Sequence, residues 1–194
     1  MRTLGILISG RGSNLQAILD AIREGKLDAR VGVVLSNVDG APGLERARAA
    51  GVPTDVLSHK DYASREQYDE ALVDHLRAHE VDLVCLAGFM RLLSPAFVRA
   101  FPGRILNVHP SLLPAFPGLH AQRQALEHGV KVTGATVHVV DEELDHGPIL
   151  LQRAVPVLEG DDEESLSARI LEQEHRIYPE AIALVLAGKA IPET

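Results

Sequence analysis

The chain has 194 residues, 46% of them hydrophobic and 24% charged, which is the composition of a globular protein long enough to bury a sizeable core. A formal net charge of -8 without any Lys/Arg-rich run argues against a nucleic-acid partner, and the single cysteine, Cys85, excludes an internal disulfide. The sequence has no secretory signal pattern and no apolar run near the roughly 20 residues that span a bilayer, so we predict a cytoplasmic protein without membrane contact and with one domain over residues 1–194.

Segments typical of strands and helices alternate through the first half of the chain, as in a parallel sheet covered by helices on both faces. The predicted strands cover residues 4–9, 31–37, 54–57, 81–89 and 105–109. The predicted helices lie within residues 13–25, 42–51 and 64–79. Ser13 or Asn14 is the expected N-cap of the first helix, and Pro42 and Gly51 bracket the second.

The second half of the chain has a different pattern. Strand-like segments at residues 134–141 and 149–157 are separated by a loop too short for a helical crossover, which predicts an antiparallel pair at the sheet edge. A last helix is expected from residue 162 to 177, and it continues or restarts over residues 179–186. The predicted fold is therefore α/β: a doubly wound, mostly parallel sheet with helices on both faces and an antiparallel C-terminal strand pair.

The loop between the first strand and the first helix reads SGRGSN, and we call these residues loop 9–14. Its glycines allow close approach of the backbone to an anion, and the following helix N-terminus offers N–H groups, so a phosphate is a natural ligand. The loop matches neither the dinucleotide fingerprint nor a P-loop, since it lacks the spacing of the first and the lysine of the second. A tight glycine-rich turn without a ligand explains the pattern equally well.

Asn107 and His109 lie two residues apart at the end of the fifth predicted strand, so their side chains share a face of the sheet. Prolines at positions 110, 114 and 117 then restrict the loop that follows, which we call the proline loop, residues 110–118. The pattern predicts a site at the strand's end. The alternative is a hydrogen-bonded core histidine with an asparagine that closes a turn.

Further polar residues after the proline loop could in principle bind a metal. His120, Gln122 and His138 follow in the sequence, but no H-x-x-x-H or C-x-x-C spacing occurs, so we predict no metal. Cys85 lies in an apolar run and is expected to be a buried, inert thiol.

The loop between the last two strands, DEELDHG, contains four carboxylates, and we call it the acidic loop, residues 141–147. A solvated acidic turn is the simplest interpretation. A carboxylate brought near His109 would instead favour the cationic imidazolium and so create an acid usable at neutral pH. Asp145 is the preferred partner, although spacing alone leaves Glu142 and Glu143 open.

The motifs ISGRGSNLQAI, LAGFMRLLSP, ILNVHPSLLPAFPGLHA, ELDHGPIL and EQEHRIYP occur in this order over nearly the whole chain. With them the sequence resembles the phosphoribosylglycinamide formyltransferases of purine biosynthesis. NVHPSLLP with the later Leu-Asp loop is common to folate-dependent formyl-transferring and formyl-hydrolysing enzymes, whereas SGRGSNLQ distinguishes the narrower family.

The resemblance implies formyl transfer from 10-formyltetrahydrofolate to the amine of phosphoribosylglycinamide through a tetrahedral oxyanion. It implies that Asn107 binds the formyl oxygen, that protonated His109 stabilises the oxyanion, and that Asp145 orients His109 and relays the proton of the amine. The implied partners are these small molecules, with the enzyme a monomer or homodimer.

Binding residues are also implied by the resemblance. For the phosphoribosyl substrate they are Gly12, Ser13, Asn14 and Glu174. For the folate they are Arg65, Met90, Arg91, Leu92, Leu93 and, with Asn107, the acidic-loop residues Asp141, Glu142, Glu143, Leu144 and Asp145. Arg65 and Glu174 could equally be solvated surface charges, and Met90 and Leu92 plain core.

The sequence departs from the family pattern at two places. His146 stands where relatives often have a smaller residue, and the chain ends at Thr194 where relatives often continue, so contacts of such a tail are expected to be absent or replaced. Two rival functions remain: a formyltetrahydrofolate hydrolase, and a phosphosugar-binding module without catalysis.

Overall fold

The structure, a computed structural model, describes residues 1–189 of the chain. The predicted effect of the short C-terminus concerns residues outside this range. Chain contacts divide the molecule into two compact units, Met1–Leu106 and a second that begins at Asn107. The expectation of one domain over residues 1–194 stays a prediction.

The first unit contains four complete strands and four α-helices. Its strands are β1 (Arg2–Ile8), β2 (Ala29–Ser36), β3 (Thr54–Val56) and β4 (Leu83–Leu86). Its helices are α1 (Ser13–Arg23), α2 (Pro42–Ala49), α3 (Arg65–Ala78) and α4 (Pro95–Ala100), with a 3-10 turn at His59–Asp61. Strand β5 (Ile105–His109) begins in this unit and ends in the second.

The strands of the first unit are parallel. β1 pairs with β2 on one side and β4 on the other, and β2 pairs with β3. Across the sheet the seven strands run in the order β3-β2-β1-β4-β5-β6-β7. Strands β2 and β3 therefore lie on one side of β1, and β4 lies on the other. Right-handed crossovers in these two directions put α1 and α2 on one face of the sheet and α3 and α4 on the opposite face. The two helices of each pair pack together. This confirms the doubly wound fold.

Apolar spacing explains these elements. In α1 the side chains of Leu15, Ile18 and Leu19 recur on one face and are buried, while the strands β1 and β4 are buried on both faces. The core of this unit consequently lies between the sheet and its helices. Ser64 caps α3 by accepting a hydrogen bond from the backbone N–H of Gln67.

The prediction of a Ser13 or Asn14 N-cap was wrong. The N-cap of α1 is Gly12, whose φ of 72° lies in the left-handed region, and no side chain caps this helix end. A glycine adopts this conformation without the steric cost that a Cβ would add, so the chain turns from β1 into α1 within a few residues.

The second unit contains the remaining elements. They are α5 (Ala121–His128), β6 (Val132–Val139), β7 (Ile149–Pro156) and α6 (Glu163–Leu186). Strands β6 and β7 are antiparallel, as predicted. Helix α6 is one continuous helix with Pro179 inside it, and it begins with a capping box between Asp162 and Ser165.

Sequence periodicity did not assign α4 or α5. Both are short, of six and eight residues, and therefore carry too few turns for a clear apolar stripe. Within residues 1–189, no helix combines the length and the apolar character that crossing a bilayer requires.

Candidate active site

His109, at the end of β5, is 5% exposed and touches two acceptors. Its Nε2 atom lies 2.8 Å from the carbonyl oxygen of Phe116, which can only accept, so Nε2 donates this hydrogen bond. Its Nδ1 atom lies 3.5 Å from Oδ2 of Asp145. His109 is thus a buried, hydrogen-bonded histidine, but one that also faces a carboxylate.

Asp145 is the acidic-loop carboxylate next to His109, whereas Glu142 and Glu143 are exposed. Its side chain is 8% exposed, and its Oδ2 atom also accepts a hydrogen bond of 2.8 Å from the backbone N–H of Gly118. Its φ of 48° is left-handed, which is uncommon for a residue with a Cβ. Backbone strain of this kind persists only where the surrounding structure maintains it, and it is concentrated at functional sites.

His138, on β6, orients Asn107. Its Nδ1 atom lies 3.0 Å from the carbonyl oxygen of Val139 and therefore donates. Burial lowers the pKa of His138, so the ring is neutral at neutral pH and its Nε2 atom accepts from Nδ2 of Asn107 at 3.4 Å. One N–H of the Asn107 amide is thereby held by His138. The second N–H makes no hydrogen bond among residues 1–189. Oδ1 of Asp145 is 4.0 Å from the same Nε2 atom.

The proline loop is fixed by β6 and β7. Thr136 on β6 donates to the carbonyl of Ser111 at 2.7 Å and accepts from the N–H of Leu113 at 3.1 Å, while Gln152 on β7 donates to the carbonyl of Leu113 at 2.9 Å. The loop in turn supplies the Phe116 carbonyl to His109 and the Gly118 N–H to Asp145. Its conformation therefore sets the positions of both side chains.

The acidic loop is braced internally by His146. Nδ1 of His146 lies 2.7 Å from Oδ2 of Asp141, and Nε2 lies 3.8 Å from a carboxylate oxygen of Glu143. At the loop's base, Gly147 permits a close turn, since a Cβ there would lie 1.8 Å from the carbonyl oxygen of Val139. His146 thus contributes an ion pair to the loop that carries Asp145.

The brace predicts a pH-dependent contribution of His146 to stability. The hydrogen bond to Asp141, and then the charge of Glu143, raise the pKa of His146 above its ordinary 6.5. A raised folded-state pKa gives a contribution that is complete below about pH 6.5 and is lost as the pH rises through the folded-state value. His146→Ala should therefore lower Tm by about 2 °C or less near pH 6, because the group is exposed. By pH 9 the difference should vanish. Thermal scans of the wild type and the variant across this pH range measure the difference in Tm. A difference that stays constant with pH would contradict the pH-dependent role of His146.

Loop 9–14 lies in the first unit. Gly12 is buried in its left-handed conformation, Arg11 is exposed, and Ser13 and Asn14 form the first turn of α1. The residues expected to bind a phosphate are therefore those at which an 11-residue helix begins.

The residues expected to bind folate in the first unit are mostly accessible. Met90 and Leu92 are 68% and 59% exposed, so the alternative that they are plain core is wrong. The Met90 N–H donates to Oγ of Ser9 at 2.9 Å, and the Arg91 guanidinium lies 5.3 Å from the ring centroid of Tyr68. Burial raises the pKa of Tyr68 to about 12, so its phenol is neutral at physiological pH.

Further expectations concern Glu174, Arg65, Leu144, Cys85 and a metal site. Glu174 on α6 is 7% exposed, which excludes a solvated surface charge, whereas Arg65 and Leu144 are exposed. Cys85 is buried, as predicted. Among residues 1–189, no group of three or more His, Cys, Asp or Glu side chains is arranged to hold a metal ion.

Sequence reasoning considered His138 only as a metal ligand and missed its contact with Asn107. It also missed Thr136 and Gln152, which anchor the proline loop, and Ser9 as a partner of the Met90 backbone. The alternation of β6, with Thr136 and His138 two residues apart, was the available signal, since it puts both side chains on one face.

Comparison with known proteins agrees with the fold and the motifs. Residues 2–182 match the family model described as formyl transferase. The solved structure of glycinamide ribonucleotide transformylase 1 from Symbiobacterium toebii is 61% identical, with a TM-score of 0.98 over 100% of this chain and 91% of that chain.

Curated relatives include proteins of two different lengths. Phosphoribosylglycinamide formyltransferase of Escherichia coli (strain K12) is 52% identical over 184 residues, which are 95% of this chain and 87% of that protein. Trifunctional purine biosynthetic protein adenosine-3 of Drosophila melanogaster is 54% identical over 192 residues. These are 98% of this chain but only 14% of the fly protein. The chain belongs to the formyl transferase family.

Proposed function

We propose that the chain transfers the formyl group of 10-formyltetrahydrofolate to the amine of 5'-phosphoribosylglycinamide, a step of de novo purine biosynthesis. The observation that carries the proposal is the buried contact of Asp145 with His109, which lies on the same strand as Asn107. Formyl transfer needs a cation and an N–H donor beside the carbonyl that reacts, and this cluster offers both. Relatives that carry the name phosphoribosylglycinamide formyltransferase support the choice of acceptor.

The proposed reaction begins when the amine nitrogen of the acceptor attacks the formyl carbon. A C–N bond forms, and the electron pair of the C=O bond moves to oxygen, which becomes the oxyanion of a tetrahedral intermediate. The unpaired N–H of Asn107 and the cationic His109 stabilise this oxygen, and each such donor contributes on the order of 3 kcal/mol. Asp145 supplies the counter-charge to His109 and orients its ring.

The intermediate then collapses as the C–N bond to the folate breaks. The electron pair of this bond goes to the folate nitrogen, which takes up a proton, while the attacking amine has lost one. We assign the relay of this proton to Asp145 and His109. The products are the formylated acceptor and tetrahydrofolate, so atoms and charge balance without a further reactant.

We assign the phosphate of the acceptor to Gly12, Ser13 and Asn14, because a helix N-terminus stabilises an anion. Glu174 is assigned to the ribose or amine end of the acceptor. Its burial supports this assignment only in that it distinguishes Glu174 from a solvated surface charge.

The folate is assigned to two surfaces. Met90 and Leu92 are exposed apolar side chains that suit the face of a pterin ring, with Arg91 and Leu93 between and beside them. In the acidic loop, the backbone of residues 141–145 would match the ring's donors and acceptors, and Arg65 would meet the glutamate tail. We further propose a cytoplasmic location and a monomeric or homodimeric state.

The test is a turnover assay with purified protein, 10-formyltetrahydrofolate and phosphoribosylglycinamide. The absorbance change of the folate should require the amine, and the formylated acceptor should appear in equal amount. Formate release at the same rate without the amine would identify a hydrolase instead. Binding of the phosphosugar without any turnover would identify a binding module.

A further inference from the structure

Helix α2 contacts loop 9–14 from a position about 30 residues later in the chain. The backbone N–H of Gly43 donates to the carbonyl of Gly10 at 3.0 Å, and Nε of Arg46 donates to the carbonyl of Arg11 at 2.8 Å. Nη1 of Arg46 also reaches Oε1 of Gln16, on α1, at 3.5 Å. Two successive carbonyls of the loop are therefore directed toward α2.

The direction of these carbonyls fixes the direction of the neighbouring N–H groups. In a trans peptide the C=O of one residue and the N–H of the next point to opposite sides. The N–H groups of Arg11 and Gly12 consequently point away from α2. Within residues 1–189 neither of these two groups donates a hydrogen bond, so both remain available to an anion. Successive N–H groups of this kind form an anion-binding concavity, and it adjoins the positive end of α1.

Glycines at the contact between α2 and the loop make this arrangement possible. A Cβ at Gly43 would lie 2.6 Å from Cδ1 of Ile8 and 3.1 Å from both the Gly10 carbonyl oxygen and Cα of Gly12. A Cβ at Gly12 would lie 2.6 Å from Cα of Gly43. A side chain at residue 43 would therefore require Ile8 to move and the loop backbone at Gly10 and Gly12 to shift by a few tenths of an ångström.

We propose that Gly43 and Arg46 are positioning residues for the phosphate of the acceptor. They act through the loop, because the Arg46 donors are directed to Arg11 and Gln16, and they hold the N–H groups of Arg11 and Gly12 in the orientation that binds a phosphate. The inference rests on the proposed function for the identity of the acceptor. It adds that affinity for the phosphate is set in part by a helix that binds no substrate.

The test compares kinetics for two acceptors that differ only in the phosphate, phosphoribosylglycinamide and its dephosphorylated riboside. Arg46→Met removes the donors, and Gly43→Ala displaces the loop without any change of charge. Both variants should raise KM for the phosphorylated acceptor by about tenfold, because a binding site that is no longer preorganised must be ordered by the ligand. Their kcat and folate KM should stay within about twofold of wild type, as should kcat/KM for the riboside.

Arg48→Met is the matched control. Arg48 lies on the same helix and carries the same charge, but it pairs with Glu45 rather than with the loop, so this variant should behave as wild type. Circular dichroism and Tm establish that each variant is folded. An equal loss of kcat/KM with both acceptors in a folded variant would overturn the proposal, since it would show a role independent of the phosphate.

A binding measurement separates this inference from the proposed function. Titration of ribose 5-phosphate into the wild-type protein, followed by amide NMR, should shift the signals of Arg11 and Gly12, and Kd should rise about tenfold in Arg46→Met. This readout does not depend on turnover. If formyl transfer occurs but ribose 5-phosphate leaves these signals unmoved, the positioning role is wrong and the proposed function stands. If the phosphate binds as expected and no formyl transfer occurs, the positioning role stands and the proposed function is wrong.

Discussion

His109→Ala should lower kcat by about 10³-fold, because loss of one preorganised oxyanion-stabilising group has an effect of this size in other acyl-transfer sites. KM for the formyl donor should change by less than about threefold, since the folate is assigned to other residues and the interaction is made only in the transition state. Steady-state kinetics with both substrates, together with equilibrium binding of the folate, give the two quantities separately.

The matched control for this variant is His75→Ala. His75 lies 2.9 Å from Asp55 at the surface of the first unit and has no part in the proposed chemistry, so kcat should be unchanged within about twofold. A His109→Ala protein that is folded, binds folate and turns over at more than about a tenth of the wild-type rate would refute the role of His109 as oxyanion stabiliser.

The second large effect is expected for Asp145→Asn. The substitution keeps the size of the side chain and an oxygen that can accept from the Gly118 N–H, but it removes the negative charge opposite Nδ1 of His109. In the proposed mechanism the His109 ring acts as a cation, which then loses its counter-charge. In a site with 5% and 8% exposed partners this attraction is only weakly screened by solvent. We expect kcat to fall by about 10²- to 10³-fold with little change in folate KM.

The outcome distinguishes charge from shape. If Asp145 acted only by holding the proline loop through Gly118, Asn would replace it well and kcat would stay within about threefold of wild type. Asp145→Ala provides the comparison, because it removes both the charge and the acceptor and should also lower Tm.

Much of the fold followed from the sequence because the signals were local. Apolar runs predicted the buried strands, and Pro42 and Gly51 bracketed α2. The short spacing between β6 and β7 predicted their antiparallel pairing. Each of these depends on residues close together in the chain.

Features that depend on distant contacts could not be predicted in this way. His138 meets Asn107 across 31 residues, and Arg46 meets Arg11 across 35. No periodicity within β6 or α2 specifies these partners. Gly12 likewise packs against Gly43, and the local sequence SGRGSN, which suggested a serine or asparagine cap, does not specify this contact.

The choice among the acidic-loop carboxylates also depended on both local spacing and distant contacts. Spacing put Asp145 beside Glu142 and Glu143 as candidates, and only the fold brings one of the three within 3.5 Å of His109. The exposure of Met90 and Leu92 also could not be predicted from the sequence, since the motif LAGFMRLLSP is largely apolar and is interrupted only by Arg91 and Ser94.

The central claim is that His109 and Asp145 act as one unit in the chemical step. A double-mutant cycle with His109→Ala, Asp145→Asn and the double variant measures their coupling directly from kcat/KM. We predict that kcat/KM of the double variant lies within about threefold of that of the more impaired single variant. Loss of either residue already removes the interaction through which the other contributes. Multiplicative losses, in which the double variant shows the product of the two single effects, would contradict the account.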